Sequence, residues 1–470
     1  MKRIVPCASL WCLLLLPSAL TLADDSTKAE QAHQAGVKLA GEGKLEGAEE
    51  SLRLAVQLAP EKSEYRYDLG SLLIGLGRFE EALAQYQQVL NNHPTDPVAR
   101  HRHGVALFKA GRIAPAIAEL NEAVRLDPKF IIARKDLGAV LLSQGKMMEA
   151  SSLYAESVRL QPESADAHND YGVVLIRLGK MQEAIQNFSK ATEIDPEHAD
   201  AQYNLGLTLF SSWRMEEAAD HFRKAIALRP TYADAYYNLG RTYFRQGKLD
   251  EAAEQFTLVI EAEQYYTEAY YELGRVLLAQ GKTREAVSRF TQGLRTNPSH
   301  TNTQFELGLV MANMGRFSLA VPQLEGVVRQ RPEYAEAHYH LARSLIRLGR
   351  IDEGIAHYRD ALWLRPDWHL ALNDLAWLYA THGDEEVRDG KEALKLSQRS
   401  MDRLNELMPL VLDTLAAAKA NDGKTDEAAK LQQEAIDWAI RLDDEALEEE
   451  LRTRLPLYQA GKAYRQPQKP

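Results

Sequence analysis

Two sets of residues in this sequence have types and spacings that could do chemistry. The first is a row of aromatic side chains recurring every 34 positions: Tyr203, Tyr237, Tyr271, Phe305 and Tyr339. Arginines stand four or eight residues further on, at Arg241, Arg245, Arg275, Arg343 and Arg347. Positions i, i+4 and i+8 fall along one side of one helix, so each aromatic shares a face with its arginines. Tyrosine and arginine carry much of the energy of binding surfaces, one by stacking and the other by bidentate hydrogen bonding. Two readings follow: a ligand-binding stripe, or packing residues whose arginines pair with nearby acids. The second set is histidine, in His101-x-His103 and His338-x-His340. Residues two apart on a helix point in different directions, so neither pair can share a metal ion unaided. The acid pairs Glu80-Glu81 and Glu216-Glu217 open helices, where carboxylates suit the positive end of the helix dipole. The chain has no phosphate-cradling glycine loop, HExxH, nucleophile elbow or kinase signature. The sequence therefore offers no catalytic residue, no metal site and no cofactor motif.

The elements that must position these residues are helical hairpins. From 165 to 198, Ala167, Tyr171, Val174 and Leu178 fall at helical spacing, and Gly179-Lys180 interrupts them. A second helical set follows at Ala184, Ile185, Phe188, Ala191 and Ile194, and Asp195-Pro196 ends it. This unit repeats. A glycine recurs every 34 residues at 36, 70, 104, 138, 172, 206, 240, 274 and 308, continued by Ala342 and Ala376. Twelve residues after each comes a small residue, from Ala48 to Ala320 and then Gly354. Four further on stands a large apolar one, such as Tyr86, Phe188, Phe290 or Tyr358. Small residues on both helices permit close approach, and one such hairpin cannot bury its own apolar face, so copies must stack. Trp213 replaces the turn glycine of the sixth unit and Gln264 the closing proline of the seventh. Either packing absorbs both exchanges or the curvature changes there.

This 34-residue grammar, in register over roughly 29–440, resembles the tetratricopeptide repeat family, in its long bacterial exported form. The resemblance implies an all-α, right-handed superhelical solenoid of about twelve hairpins with a C-terminal capping helix. It further implies that the fifth, ninth and thirteenth positions of each repeat face a concave groove, which places the Tyr/Arg row there. The carboxylate clamp of tetratricopeptide co-chaperones is not reproduced: only Lys135 matches its fifth-position lysine, and Ala139 stands where asparagine is needed. The sixth-position asparagine ladder of the O-linked N-acetylglucosamine transferase is matched only at Asn204 and Asn238. Elsewhere that position carries Asp68, Asp136, Asp170, Glu272, Glu306 or Asp374.

Along the chain, residues 1–23 read as a signal peptide: Lys2 and Arg3, an apolar run from Ile4 to Leu16, then small residues up to Ala23. An uncleaved membrane anchor is the alternative, against which the run is short. Residues 24–28 form a polar lead, 29–368 ten contiguous repeats, and 369–440 two more, the first with five extra residues in the acidic turn 383–389. Residues 441–465 cap the end, where Leu447, Leu451 and Leu455 form an apolar stripe, and 466–470 read as a disordered tail. Both cysteines, Cys7 and Cys12, lie in the leader, so the mature chain holds no disulfide. Losing Lys2 and Arg3 takes the net charge from -11 to -13, and this acidity with no basic cluster excludes a nucleic-acid groove. The sequence is read as a non-enzymatic scaffold, periplasmic or secreted, without a membrane span in its mature form. It binds a partner protein or extended peptide in the groove. The alternative is an accessory protein of polysaccharide export or envelope assembly, binding an anionic polymer.

Overall fold

A computed structural model of the chain describes residues 18–401 and 408–467, with side chains from residue 25 onward. Residues 1–17 of the expected signal segment lie outside the described residues, and so do 468–470; its last six residues, 18–23, begin the helix Ser18–Gly41. Among the described residues the secondary structure is all helix, with no strand. Twelve helix pairs follow one another from Ser18–Gly41 with Leu45–Leu58 to Met408–Asn421 with Thr425–Arg441. The chain is an all-α fold of the superhelical repeat class. It divides into two compact units, 1–235 and 236–470.

The hairpin is closed by its small residues. The glycine of the first helix lies against the large side chain of the second, which is buried: a Cβ on Gly172 would stand 2.6 Å from Phe188 Cε1, and one on Gly274 2.3 Å from Phe290 Cε1. Phe188 and Phe290 are among the largest fully buried side chains of the protein. In the tenth pair the assignment is exchanged. Ala342 stands on the first helix and Gly354 on the second, where a Cβ would meet Ile346 at 2.6 Å. Either way, only one of the two positions carries the methyl group. Except in the eleventh pair, with its longer turn, each hairpin turn has one left-handed residue. Trp213 supplies it with φ 63°, beside 74° at Gly179 and 75° at Gly247. Its N–H bonds Phe210 O as Gly179 bonds Ile176 O. At Gln264 the turn is likewise kept, Tyr266 N donating to Glu263 O at 3.0 Å as His198 N donates to Asp195 O at 3.2 Å. At both exchanges the local turn keeps its hydrogen bonds.

Three features of the ends differ from expectation. Residues 24–28 are not a separate lead but part of the helix Ser18–Gly41. The five extra residues do not hang as an open acidic turn: Val387 packs on the core, and Arg388 Nη1 donates to His382 O and Gly383 O at 2.9 and 2.8 Å. Asp389 then caps the helix Gly390–Met401 through the N–H groups of Lys391 and Glu392. Finally, the cap is two short helices, Glu445–Arg452 and Leu455–Gln459, and the chain beyond them stays attached as far as Gln466, whose N–H donates to Thr381 O at 2.8 Å.

Arg454, between those two helices, pins the cap. Its guanidinium bonds Asp413 Oδ2 at 2.6 Å and lies against the rings of both Trp377 and Tyr464, 4.8 and 5.0 Å from their centroids. Arg454 and Asp413 are 5% and 3% exposed, so the pair is desolvated and depends on both members. Burial raises the Asp413 pKa, and Arg454 opposes the rise. Arg454→Met should therefore cost about 3–5 kcal/mol at neutral pH, measured by chemical denaturation. A carboxyl whose folded pKa is raised loses stability as pH climbs above the ordinary carboxylate range, so the deficit should shrink as pH falls into that range. A second prediction concerns the glycines. Ala in place of Gly adds about 1 kcal/mol of helix propensity, whereas overpacking costs about 1–3 kcal/mol. Gly75→Ala, with nothing within 4 Å of the added carbon, should raise the denaturation midpoint; Gly274→Ala, against a buried ring, should lower it.

Candidate functional site

The aromatic row is built into the joints between repeats. Four of the five fifth-position rings meet the large ring of their own second helix: Tyr203 with Phe222 at 5.9 Å, Tyr237 with Phe256 at 5.7 Å, Tyr271 with Phe290 at 6.4 Å and Tyr339 with Tyr358 at 6.0 Å. Each of the five also meets a ring just before the next first helix. These contacts are Tyr203–Tyr232 at 4.8 Å, Tyr237–Tyr266 at 5.2 Å, Tyr271–His300 at 5.7 Å, Phe305–Tyr334 at 4.9 Å and Tyr339–Trp368 at 4.7 Å. Such tilted and edge contacts are favourable ring geometries. The aromatics thus have a structural partner on each side, and Tyr339 is only 5% exposed.

A polar tie accompanies the rings, joining a fifth position to the sixth position of the next repeat, 35 residues on. In the first unit it runs His33–Asp68 at 2.7 Å, His101–Asp136 at 2.6 Å, Lys135–Asp170 at 2.7 Å and Asn204 to Asn169 at 2.9 Å. In the second unit Tyr339 donates to Asp374 at 3.0 Å. In four of these ties an acid at the sixth position accepts from histidine, lysine or tyrosine; at Asn204 the direction is reversed, its amide donating to Asn169 Oδ1. The signal for these ties in the sequence is the 35-residue offset between a donor type and an acid.

The arginines of the row stay nearer to solvent. In the second unit Arg241 lies over Tyr237 at 5.7 Å, Arg275 over Tyr271 at 5.6 Å and Arg343 over Tyr339 at 5.5 Å, and Arg347 lies over Phe317 at 4.8 Å. Arg245, Arg343 and Arg347 are exposed, and Arg241 and Arg275 half-buried. Acids sit beneath: Arg275 pairs with Glu272 at 3.0 Å, and Arg343 Nε is 3.7 Å from Asp374 Oδ2. Burial raises the carboxyl pKa values of Glu306 and Asp374, with Arg275 and Arg343 respectively opposing the rise. Burial, helped by Arg343, pushes His340 down to about 4, so a neutral imidazole lies edge-on to Phe305 and Tyr339. The face is therefore a mosaic of cations over rings and half-hidden carboxylates. It can accept a partner's carboxylates and backbone by hydrogen bonding.

The histidine pairs spaced by two are not brought together. His101 bonds Asp136 and His103 faces Glu119 at 3.5 Å, while His338 and His340 diverge to different partners. The fold instead sets His338 against His357, nineteen residues on in the facing helix. Tyr339→Phe, which removes one hydrogen bond to the buried Asp374 while keeping the ring stack, should cost about 1 kcal/mol in denaturation midpoint experiments.

Sequence models described as tetratricopeptide repeats match residues 34–97, 67–129, 101–150, 271–313 and 305–371. Others of that description match 198–229 and 233–266, and a TPR repeat model matches 172–212 and 214–247. Comparison with curated proteins finds no match to this chain. Among solved structures, YrrB, titled a TPR protein with an unusual peptide-binding site, is 27% identical, with 40% of this chain and 96% of that one covered and a TM-score of 0.36. MamA is 28% identical over 36% of this chain and 92% of its own, at a TM-score of 0.34. PilF of Pseudomonas aeruginosa is 22% identical over 44% and 94%, at 0.39. The chain belongs to the tetratricopeptide repeat family, whose members act generally as scaffolds for protein–protein interaction.

Proposed function

We propose that this protein is a non-enzymatic scaffold that holds a partner protein, or an extended segment of one, in the groove of its repeats. The arginines Arg241, Arg245, Arg275, Arg343 and Arg347 are the contact groups. The observation that carries this reading is the position of Arg275 and Arg343: each guanidinium lies over a tyrosine that the fold already holds, with side chains 39% and 55% exposed. A cation laid on a fixed ring is preorganised, so less side-chain entropy is lost when a carboxylate binds it. The rings of Tyr203, Tyr237, Tyr271, Phe305 and Tyr339 serve the site as its floor rather than as its contact surface. This arrangement favours a peptide ligand over a polysaccharide, because stacking on sugars needs rings whose faces are open.

The N-terminal charge and hydropathy pattern supports export with cleavage after Ala23. Both parts of the reading are tested in one preparation. Protein recovered from the exported fraction should begin at Asp24 and bring a partner with it. Arg275→Gln, Arg343→Gln and Arg347→Gln together should reduce partner recovery at least about tenfold, because Arg contacts at the centre of an interface commonly carry 1–2 kcal/mol each. The triple variant should keep wild-type helical circular dichroism, with only a modest fall in thermal midpoint, since it loses the partly exposed pairs Arg275–Glu272 and Arg343–Asp374 and such pairs contribute about 0–1 kcal/mol each. Undiminished recovery by the triple variant overturns the arginine face as the contact surface. An intact residue 1 in the exported protein overturns the cleavage.

A further inference from the structure

In five of the twelve helix pairs the fourth residue of the first helix reaches the residue 19 positions on, in the second helix, and makes one polar bridge. Arg66 donates to Gln85 at 3.0 Å, Arg100 to Glu119 at 2.8 Å, His168 meets Asn187 at 3.0 Å and His221 meets Gln202 at 2.7 Å. The same fourth residue also donates backwards to a prolyl carbonyl, as Gln202 does to Pro196 O and Gln304 to Pro298 O. Each of those bridges includes a side chain that can act only as donor or only as acceptor at the contact atom. The tenth pair departs from this. There both positions are histidine, and the two imidazoles meet through Nδ1 and Nδ1 at 3.0 Å. A third ligand-type atom joins them: Asp360 Oδ2 lies 3.5 Å from His338 Nδ1 and 3.5 Å from His357 Nδ1.

The geometry points to a binding site for one divalent transition-metal ion, of which zinc is the type, held by His338 Nδ1, His357 Nδ1 and Asp360 Oδ2. Zinc binds imidazole nitrogen and carboxylate oxygen at about 2.0–2.1 Å, so the corners of its tetrahedron are about 3.3–3.4 Å apart. The triangle formed by the three atoms, with edges of 3.0, 3.5 and 3.5 Å, matches one face of that tetrahedron to within about 0.4 Å. His338 is already oriented as a ligand. Its Nε2 lies 3.1 Å from Pro332 O, which can only accept, so the proton sits on Nε2 and Nδ1 presents its lone pair. A ring N–H held by a backbone carbonyl is the usual outer-shell support of a metal-bound histidine. On binding, His357 moves its proton from Nδ1 to Nε2, with no net change of protonation. The side chain of His338 is 9% exposed, that of His357 26% and that of Asp360 55%, so the site opens to solvent on the Asp360 side. That opening gives the ion an entry path and leaves the fourth position to water or to a donor from a partner. Bound there, the ion would clip the helix Ala335–Arg347 to the helix Ile351–Leu364.

The test uses the full chain without an affinity tag and Zn²⁺ alone, titrated against a chromogenic chelator. Wild type should bind one equivalent saturably. His338→Gln keeps the prolyl hydrogen bond, as the glutamines at 202 and 304 do, and removes the ligand nitrogen. It and His357→Gln should each weaken binding at least about tenfold with unchanged helical circular dichroism. His168→Gln, at the equivalent position of another repeat, should bind as wild type. Zinc should also raise the thermal midpoint of wild type and not of the two ligand variants. Absence of a saturable equivalent in wild type, or wild-type affinity in either His338→Gln or His357→Gln, would overturn the site.

Discussion

The close approach of two helices at a glycine is the contact on which the rest of this structure depends. A hairpin of a 13-residue and a 14-residue helix is too small to bury an apolar face by itself. It becomes a stacking unit only if its two helices come near enough for one aromatic or leucine side chain to fill the gap between them. The glycine makes that gap, and the large residue 16 positions on fills it: Gly172 with Phe188, Gly274 with Phe290. Once the hairpin is fixed, the fifth-position side chain is left at its edge, where it meets the next repeat. The rings and the 35-residue polar ties are therefore consequences of the same constraint, one step outward.

In the proposed reading, that order of dependence gives the two halves of the Tyr/Arg row different jobs. The rings are committed on both sides to packing, so removing one disturbs the joint between repeats. The arginines are held over those rings and extend into solvent. A repeat protein separates scaffold from specificity in this way, because residues that touch a partner can then change without altering the stack. The acids beneath the arginines contribute to both roles, accepting ties from the preceding repeat and setting the local field of the face.

Much of the hairpin was legible in the sequence because its constraints are local and periodic. Gly172, Ala184 and Phe188 recur at fixed offsets, and the turn position announces itself by glycine; even Trp213, which breaks the rule, adopts the backbone the rule requires. What was not legible depends on contacts whose offsets are not those of one helix. His338 was considered with His340, two residues away, when its partner is His357, nineteen away on the facing helix. The Tyr339–Asp374 tie spans 35 residues and so looks like nothing within one repeat. At the C-terminal end the stripe of Leu447, Leu451 and Leu455 suggested one helix. Arg454, turned inward to reach Asp413, instead stands between two short helices.

The most direct measurement of the account is site-specific photo-crosslinking in cells. A photoreactive residue would be placed at Asn313 or Arg347, on the first-helix face, and separately at Leu258 on a second helix; all three positions are exposed. The account predicts a discrete adduct with one partner from 313 and 347 and none from 258. Adducts from 258 alone would contradict it, and would place partner binding on the opposite helices of the repeat.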